Sequence, residues 1–268
     1  MSALLDRLRS PRAIRQFLEE ALPFVDLDFE GVSQVSAGVV TGGRYWMTRV
    51  GEPGAPKSAI DRVVLELART RADAVLLTGR ILRAEPSLSY APLTESFAAL
   101  RTELGRSNPP RLFILTRSFD LPPAHPVFRE LGTTVTLLSA NENASENIAR
   151  LPPGIRRIKL DTPTVAAAIA TIKSEGCRTI SVEAGPNAVR ELYAEDSPLD
   201  ELLFARFLLE SLSRNEAERD ADPRRKMSWL TAPFVDASSL ASLFARREAS
   251  AIFEGDGTPT IVERHLRS

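Results

Sequence analysis

Three short segments hold residue types that could do chemistry: Thr78-Gly79-Arg80, Thr116-Arg117-Ser118 and Glu183-Ala184-Gly185-Pro186-Asn187. Each comes directly after an apolar run of strand length, and an open α/β sheet binds ligands outside the carboxyl ends of its strands. Hydroxyls, a guanidinium and free backbone N–H groups at such turns suit a phosphate. Gly185 lets a backbone approach a ligand closely before Pro186 opens the next helix. Taken singly, each turn reads more simply as loop geometry, and only their joint occurrence is a signal. Glu183 is the catalytic candidate, because a strand-end carboxylate can accept sugar hydroxyls or poise a proton. Its plainer reading is a charge that complements a helix dipole. Arg117 suits a 2′-phosphate, or is a solvated loop charge. Trp46 offers a ring for stacking, although a strand tryptophan is more often core. Neither G-x-G-x-x-G nor G-x-x-x-x-G-K-[ST] occurs, so two common phosphate-binding loops are absent. One cysteine and two histidines argue against a Cys/His metal site and rule out a disulfide framework. No metal is expected, Cys177 reads as an inert buried residue, and His125 and His265 are given no role.

The elements that must position these turns alternate along the chain. Residues 32–40 read as a strand ended by Thr41-Gly42-Gly43, with 44–48 returning beside it. Residues 58–71 carry Ile60, Val63, Val64, Leu67 and Ala68 at helical spacing. Strand-length runs come next at 74–77, 111–115, 133–138, 155–160 and 179–183. Between the last two, a helix opens at Thr162-Pro163, runs through Ile172 and closes at Gly176. Near the start, Ser10-Pro11 reads as a cap and first turn, with Ile14, Phe17, Leu18 and Leu22 on one face and Pro23 ending the run. In the tail, 201–209 is a strand and 214–226 a charged solvated loop. Residues 249–254 and 260–264 flank Gly255-Asp256-Gly257 as a hairpin. The expectation is an α/β fold, a mostly parallel twisted sheet flanked by helices and ending in antiparallel C-terminal strands. Residues 1–30 read as a helical extension and 31–268 as one domain.

Composition narrows the function. The 268 residues are 43% apolar and 26% charged, an ordinary globular balance. With 34 Lys and Arg against 35 Asp and Glu, the net charge of −1 gives no pull toward nucleic acid or acidic membranes. The longest apolar run, 165–170, falls far short of a ~20-residue span. Met1–Ser10 interleaves arginines with leucines and lacks a secretory core, while Asp6, Glu19 and Glu20 oppose an organelle presequence. A cytoplasmic protein acting on a small molecule is expected.

Residues 69–88, with Ala72-Asp73-Ala74-Val75-Leu76-Leu77-Thr78-Gly79 at their centre, resemble L-R-A-x-A-D-A-[IV]-L-V-G-A-G-T-V-R-A-D-N-P-x-L. That stretch belongs to the reductase domain of bacterial riboflavin-biosynthesis pyrimidine deaminase/reductases, relatives of dihydrofolate reductase. Trp46-Met47-Thr48 resembles its W-I-T. Residues 110–116 with Leu121-Pro122 resemble its P-x-R-V-V-L-D-S strand and the segment after that strand. Ser181–Asn187 and Leu199-Asp200-Glu201-Leu202 resemble V-E-[GA]-G-P-T and V-D-E-L. The resemblance covers about Val32 to Leu209 and lies in the ordered set, since no one motif is specific.

The resemblance implies a dihydrofolate-reductase-like homodimer, joined through the last strands, that uses NADPH to reduce a ribosylamino-pyrimidine to its ribitylamino form. By matching positions, Trp46, Ile81, Glu85, Thr116, Gly185, Pro186 and Asn187 would meet the cofactor. Their neighbours Thr48, Thr78, Gly79 and Arg117 join them. Arg44, Arg69, Leu88 and Glu183 would meet the substrate. The chain departs from the family pattern at several places. S-L-D-G reads Val35-Ser36-Ala37-Gly38, and G-A-G-T reads Thr78-Gly79-Arg80-Ile81. R-A-D-N-P shortens to Arg83-Ala84-Glu85-Pro86, and 49–56 look inserted. Arg80 is expected to turn into the groove toward a phosphate, the other reading being an outward, solvated charge beside a narrower groove. Two alternatives stand beside the leading reading: a redox-inactive nucleotide- or pyrimidine-binding homologue, and a related reductase of another carbonyl or imine.

Overall fold

Strand β1 (Gly31–Thr41) is the longest of the sheet strands, and it outruns one of its neighbours. The computed structural model describes residues 3–49, 52–86, 94–107, 109–117, 120–129, 134–140, 149–209, 223–225, 227–255 and 257–267. In chain order, the helices are α1 (Ala3–Arg7), α2 (Pro11–Ala21), α3 (Ala59–Arg71), α4 (Gly79–Ala84), α5 (Glu95–Glu103), α6 (Val165–Ser174), α7 (Pro186–Val189) and α8 (Ala237–Leu243). The other strands are β2 (Arg44–Thr48), β3 (Ala74–Thr78), β4 (Arg111–Leu115), β5 (Val135–Ser139), β6 (Arg156–Lys159), β7 (Thr179–Val182), β8 (Glu201–Phe207), β9 (Leu230–Asp236), β10 (Arg246–Ala249) and β11 (Thr260–Leu266).

The sheet order is β10-β11-β8-β1-β7-β3-β4-β5-β6. From β8 to β6 the strands are parallel, while β11 and β10 run antiparallel. This is the expected fold. Strand β3, Ala-Val-Leu-Leu-Thr, is buried throughout, as a strand covered on both faces must be. On one face, Ile14, Phe17 and Leu18 of α2 share a core with Ile60, Val63 and Leu67 of α3 and Phe97 and Leu100 of α5. On the other, Val165, Ala168, Ile169 and Ile172 of α6 cover Ile180, Val182 and Phe204. Ser10 caps α2 by accepting from the Ala13 N–H at 3.2 Å.

Strand β1 serves two partners on one side. Its first half, Gly31 to Gln34, pairs with β7, and Gly38 to Thr41 pair with β2. Beyond the end of β7, therefore, β2 and its antiparallel partner β9 form a wall over the carboxyl edge. A Cβ on Gly38 would lie 1.7 Å from the Trp46 carbonyl oxygen, so only glycine allows β2 this close.

The end of α3 is held by a buried cation. Arg101, fully buried, donates through Nη1 to the carbonyls of Arg69 (2.9 Å), Thr70 (3.0 Å) and Ala72, and through Nε to that of Ser107 (2.5 Å). It takes up carbonyls that a helix end leaves without partners. Burial pushes its pKa down to about 10.

Several boundaries differ from expectation. Helix α6 starts at Val165 because Thr164, not Thr162, caps it, accepting from the Ala167 N–H at 3.1 Å. Strand β7 stops at Val182, and β8 stops at Phe207. The last hairpin joins β10 to β11 across a longer loop than Gly255-Asp256-Gly257 suggests, and Asp256 lies outside the described residues. Strand β9 escaped the sequence reading because Pro233 interrupts it; a proline is tolerated there because, among the described residues, β9 pairs only with β2. Of the charged stretch 214–226, residues 223–225 are described and form a 3₁₀ turn. Among the described residues no helix is long and apolar enough to cross a membrane.

Candidate functional site

The carboxyl ends of β7, β3 and β4 lie side by side, with Leu76 level with Val182 and Thr78 level with Leu115. Glu183 comes next after β7 and donates its N–H to the Leu76 carbonyl at 3.0 Å. Strand alternation turns Ser181 and Glu183 toward α3. There the Arg69 guanidinium meets the carboxylate in a fork: Nε to Oε1 at 2.9 Å and Nη2 to Oε2 at 2.5 Å. Ser181 Oγ stands 3.4 Å from Oε1. The side chains of Arg69 and Glu183 are 13% and 8% exposed. Two residues expected on the substrate side, 114 positions apart, thus form one bidentate ion pair at the rim of the sheet. That geometry uses both carboxylate oxygens as acceptors.

Past Glu183 the chain opens. A Cβ at Gly185 would meet nothing within 4 Å, Pro186 is half-buried and Asn187 is exposed. At the end of β3, Thr78 precedes α4 without bonding to it through its side chain. Gly79 is pressed against the neighbouring strand's exit: a Cβ would lie 2.8 Å from both Thr116 Oγ1 and Leu121 Cδ2. The Thr116 N–H donates to the Leu138 carbonyl at 2.9 Å. Arg80 and Arg117, just beyond these threonines, are exposed, and neither pairs with a carboxylate among the described residues. Ile81 and Glu85 are half-buried. The Glu85 carbonyl accepts from His125 Nε2 at 3.0 Å, so that histidine braces the end of α4.

The wall holds the rest. Trp46, 5% exposed, packs with Val39, Phe207, Trp229 and Leu230, and the Arg224 guanidinium lies 5.9 Å from its ring centre. Its Nε1 donates to the Thr41 carbonyl at 3.4 Å. Thr48 Oγ1 donates to the Ala37 carbonyl at 3.3 Å. Arg44 sits at the tip of the wall, exposed and paired with Asp236 at 3.1 Å. The tip is roughly 20 Å along β1 from the level of Val182, so the structure does not bring Arg44 to Arg69 and Glu183. Leu88 lies outside the described residues, as does Ser118.

A mostly parallel sheet with crossover helices and antiparallel final strands is a dihydrofolate-reductase-like fold. The RibD C-terminal domain family matches residues 37–205, and the chain belongs to that family. A pyrimidine reductase-like protein from Corynebacterium diphtheriae shares the fold with a TM-score of 0.63 at 17% identity, over 95% of this chain and 99% of that one. The diaminohydroxyphosphoribosylaminopyrimidine deaminase/5-amino-6-(5-phosphoribosylamino)uracil reductase of Thermotoga maritima gives 0.55 at 17% identity, over 88% of this chain and 56% of that one. The riboflavin biosynthesis reductase Rib7 of Saccharomyces cerevisiae gives 0.50 at 12% identity, over 94% and 99%. No curated protein matches the sequence.

Proposed function

We propose that the protein is an NADPH-dependent reductase that delivers a hydride to the anomeric carbon of a ribosylamino-pyrimidine, or to a related small molecule. The observation that carries this reading is the Arg69–Glu183 pair standing beside an open glycine turn at one strand end, in a chain of the RibD C-terminal domain family. The names of the related structures, pyrimidine and uracil reductases among them, support the substrate class.

The residues at the crevice fit a phosphorylated dinucleotide. Arg80 and Arg117 are exposed guanidiniums at neighbouring strand ends without carboxylate partners among the described residues, and Thr78 and Thr116 add hydroxyls. A guanidinium suits the 2′-phosphate that distinguishes NADPH from NADH. The cofactor supplies the hydride when bound, and the chain supplies placement. In this reading the open space at Gly185 receives the cofactor, and Ile81, Glu85, Pro186 and Asn187 contact it. Trp46 and Thr48, both engaged in packing or hydrogen bonds of the wall, shape its side. Arg69 and Glu183 face the other reactant. With both carboxylate oxygens committed to Arg69, Glu183 orients a sugar hydroxyl and takes no part in proton transfer. The protein acts as a homodimer joined near the last strands, where β10 is the open edge.

Fluorescence titration with NADPH and NADH tests the reading. NADPH binds more tightly in the parent, and Arg117→Ala erases the difference, a loss of about 1–3 kcal/mol for one charge-assisted contact. Equal affinity in the parent refutes the cofactor assignment. Tight NADPH binding without turnover of any ribosylamino-pyrimidine, carbonyl or imine favours the redox-inactive alternative.

A further inference from the structure

We infer that Tyr45 is a positioning residue, latching the β2–β9 wall to the sheet through the buried carboxylate of Glu263. The wall needs such a device. Among the described residues β2 pairs only with the far end of β1 and with β9, and β9 pairs only with β2. Beneath it, Tyr45 is 4% exposed and donates its hydroxyl to Glu263 Oε2 at 2.9 Å.

Glu263 is fully buried and gathers hydrogen-bond and ion-pair partners from four strands. His265 Nε2, on the same strand β11, stands 3.3 Å from Oε2. On Oε1, Arg206 Nε of β8 lies at 3.0 Å and Arg247 Nη2 of β10 donates at 2.9 Å. Three of these groups belong to the main sheet and fix the carboxylate. The fourth, Tyr45, belongs to the wall. Removing the tyrosine hydroxyl therefore leaves Glu263 with its three other partners and the wall with one anchor fewer. Burial opposes ionisation of Glu263, but His265, Arg206, Arg247 and Tyr45 outweigh it and hold its pKa down at about 2.

The anchor bears on the crevice through two links. Tyr45 adjoins Trp46, and its ring packs against Phe204 of the sheet and Phe234 of β9, centroids at 5.1 and 6.2 Å. Just beyond α7, the Arg190 guanidinium donates to the Pro233 carbonyl of β9 at 3.1 Å, which ties the wall to the turn after Gly185. The inclination of the wall thus sets the width of the crevice beside that turn. The inference about cofactor rests on the function proposed above; the inference about the latch does not.

The test is hydrogen exchange by mass spectrometry on the parent, Tyr45→Phe and Arg247→Ala, with NADPH titrated against each. In Tyr45→Phe, amides of β2 and β9 exchange about ten- to a hundredfold faster, the range for a lost hydrogen bond to a charged group. Those of β3, β4 and β7 hold their rates, and NADPH affinity falls about threefold or more as the wall opens. In Arg247→Ala, which removes a half-exposed donor outside the wall, β2 and β9 are unaffected. Uniform acceleration across all strands, no acceleration, or equal loosening by Arg247→Ala overturns the latch. Local loosening with unchanged NADPH affinity overturns its role at the crevice. Local loosening in a parent that binds no NADPH keeps the latch and sinks the proposed function instead.

Discussion

The Arg69–Glu183 pair can be weighed by a double-mutant cycle with Glu183→Gln, Arg69→Met and both together. Exposed ion pairs contribute about 0.2–1 kcal/mol, and breaking a buried one costs about 3–5 kcal/mol. At 8% and 13% exposure, with two hydrogen bonds in a fork, this pair lies nearer the buried limit. Each single change is expected to cost about 2–3 kcal/mol, because the surviving charge loses a two-bond contact at a largely buried rim. The double variant should lose little more than either single one, giving a coupling of about 2 kcal/mol. Urea unfolding monitored by far-ultraviolet circular dichroism reads this as midpoint shifts of about 1 M at a slope of ~2–3 kcal/mol/M. Tryptophan fluorescence is the poorer probe, since Trp46 and Trp229 share one cluster in the wall. A coupling below about 0.5 kcal/mol would refute the argument that the two side chains act as a unit. On the proposed function, Glu183→Gln also lowers kcat about tenfold, the scale of a lost orienting hydrogen bond, and leaves NADPH affinity within about threefold.

The same geometry yields other outcomes. Arg101→Met strands several α3 carbonyls and should cost about 3–5 kcal/mol in urea unfolding, with Arg101→Lys recovering less than half, because an ammonium cannot span the same acceptors. Gly79→Ala forces a methyl against Thr116 and Leu121 and should cost about 1–3 kcal/mol, together with weaker NADPH binding. Glu263, held at about 2 against an ordinary 4.5, contributes stability that is complete above about pH 4.5. That contribution fades as the pH falls toward 2; it is on the order of 3 kcal/mol and should disappear from the acid-unfolding curve of Glu263→Gln.

How much the sequence reveals depends on how local each signal is. Strands β3 and β4 are legible as continuous apolar runs, because a strand covered on both faces needs no alternation. The crevice is legible as small and charged residues directly after those runs. The Arg69–Glu183 contact is not, since it exists only once α3 lies back across the sheet. Arg101 looks like an ordinary surface arginine of an amphipathic helix, and nothing in its neighbours announces that it is fully buried at the end of another helix. Glu263 and His265 carry a faint signal, two titratable residues two apart and so on one face of β11, with Arg264 between them on the other. Pro233 hid β9 because its strand lies on an edge, where the usual prohibition lapses.

The sharing of β1 between the sheet and the wall makes the chain unequally tolerant of changes in length. The stretch 49–56, which looks inserted relative to the family, comes after β2, where added residues lengthen a connection and leave the β1–β2 register unchanged. One residue added between Gln34 and Gly38 would act differently. The β1–β2 hairpin would travel as a unit, and every side chain on it would change sides. Tyr45 would swing out of reach of Glu263, and the indole of Trp46 would be driven toward a carboxylate that already holds two guanidiniums. Insertions and deletions among relatives should therefore gather after β2 and spare those few residues of β1, however freely their side chains vary.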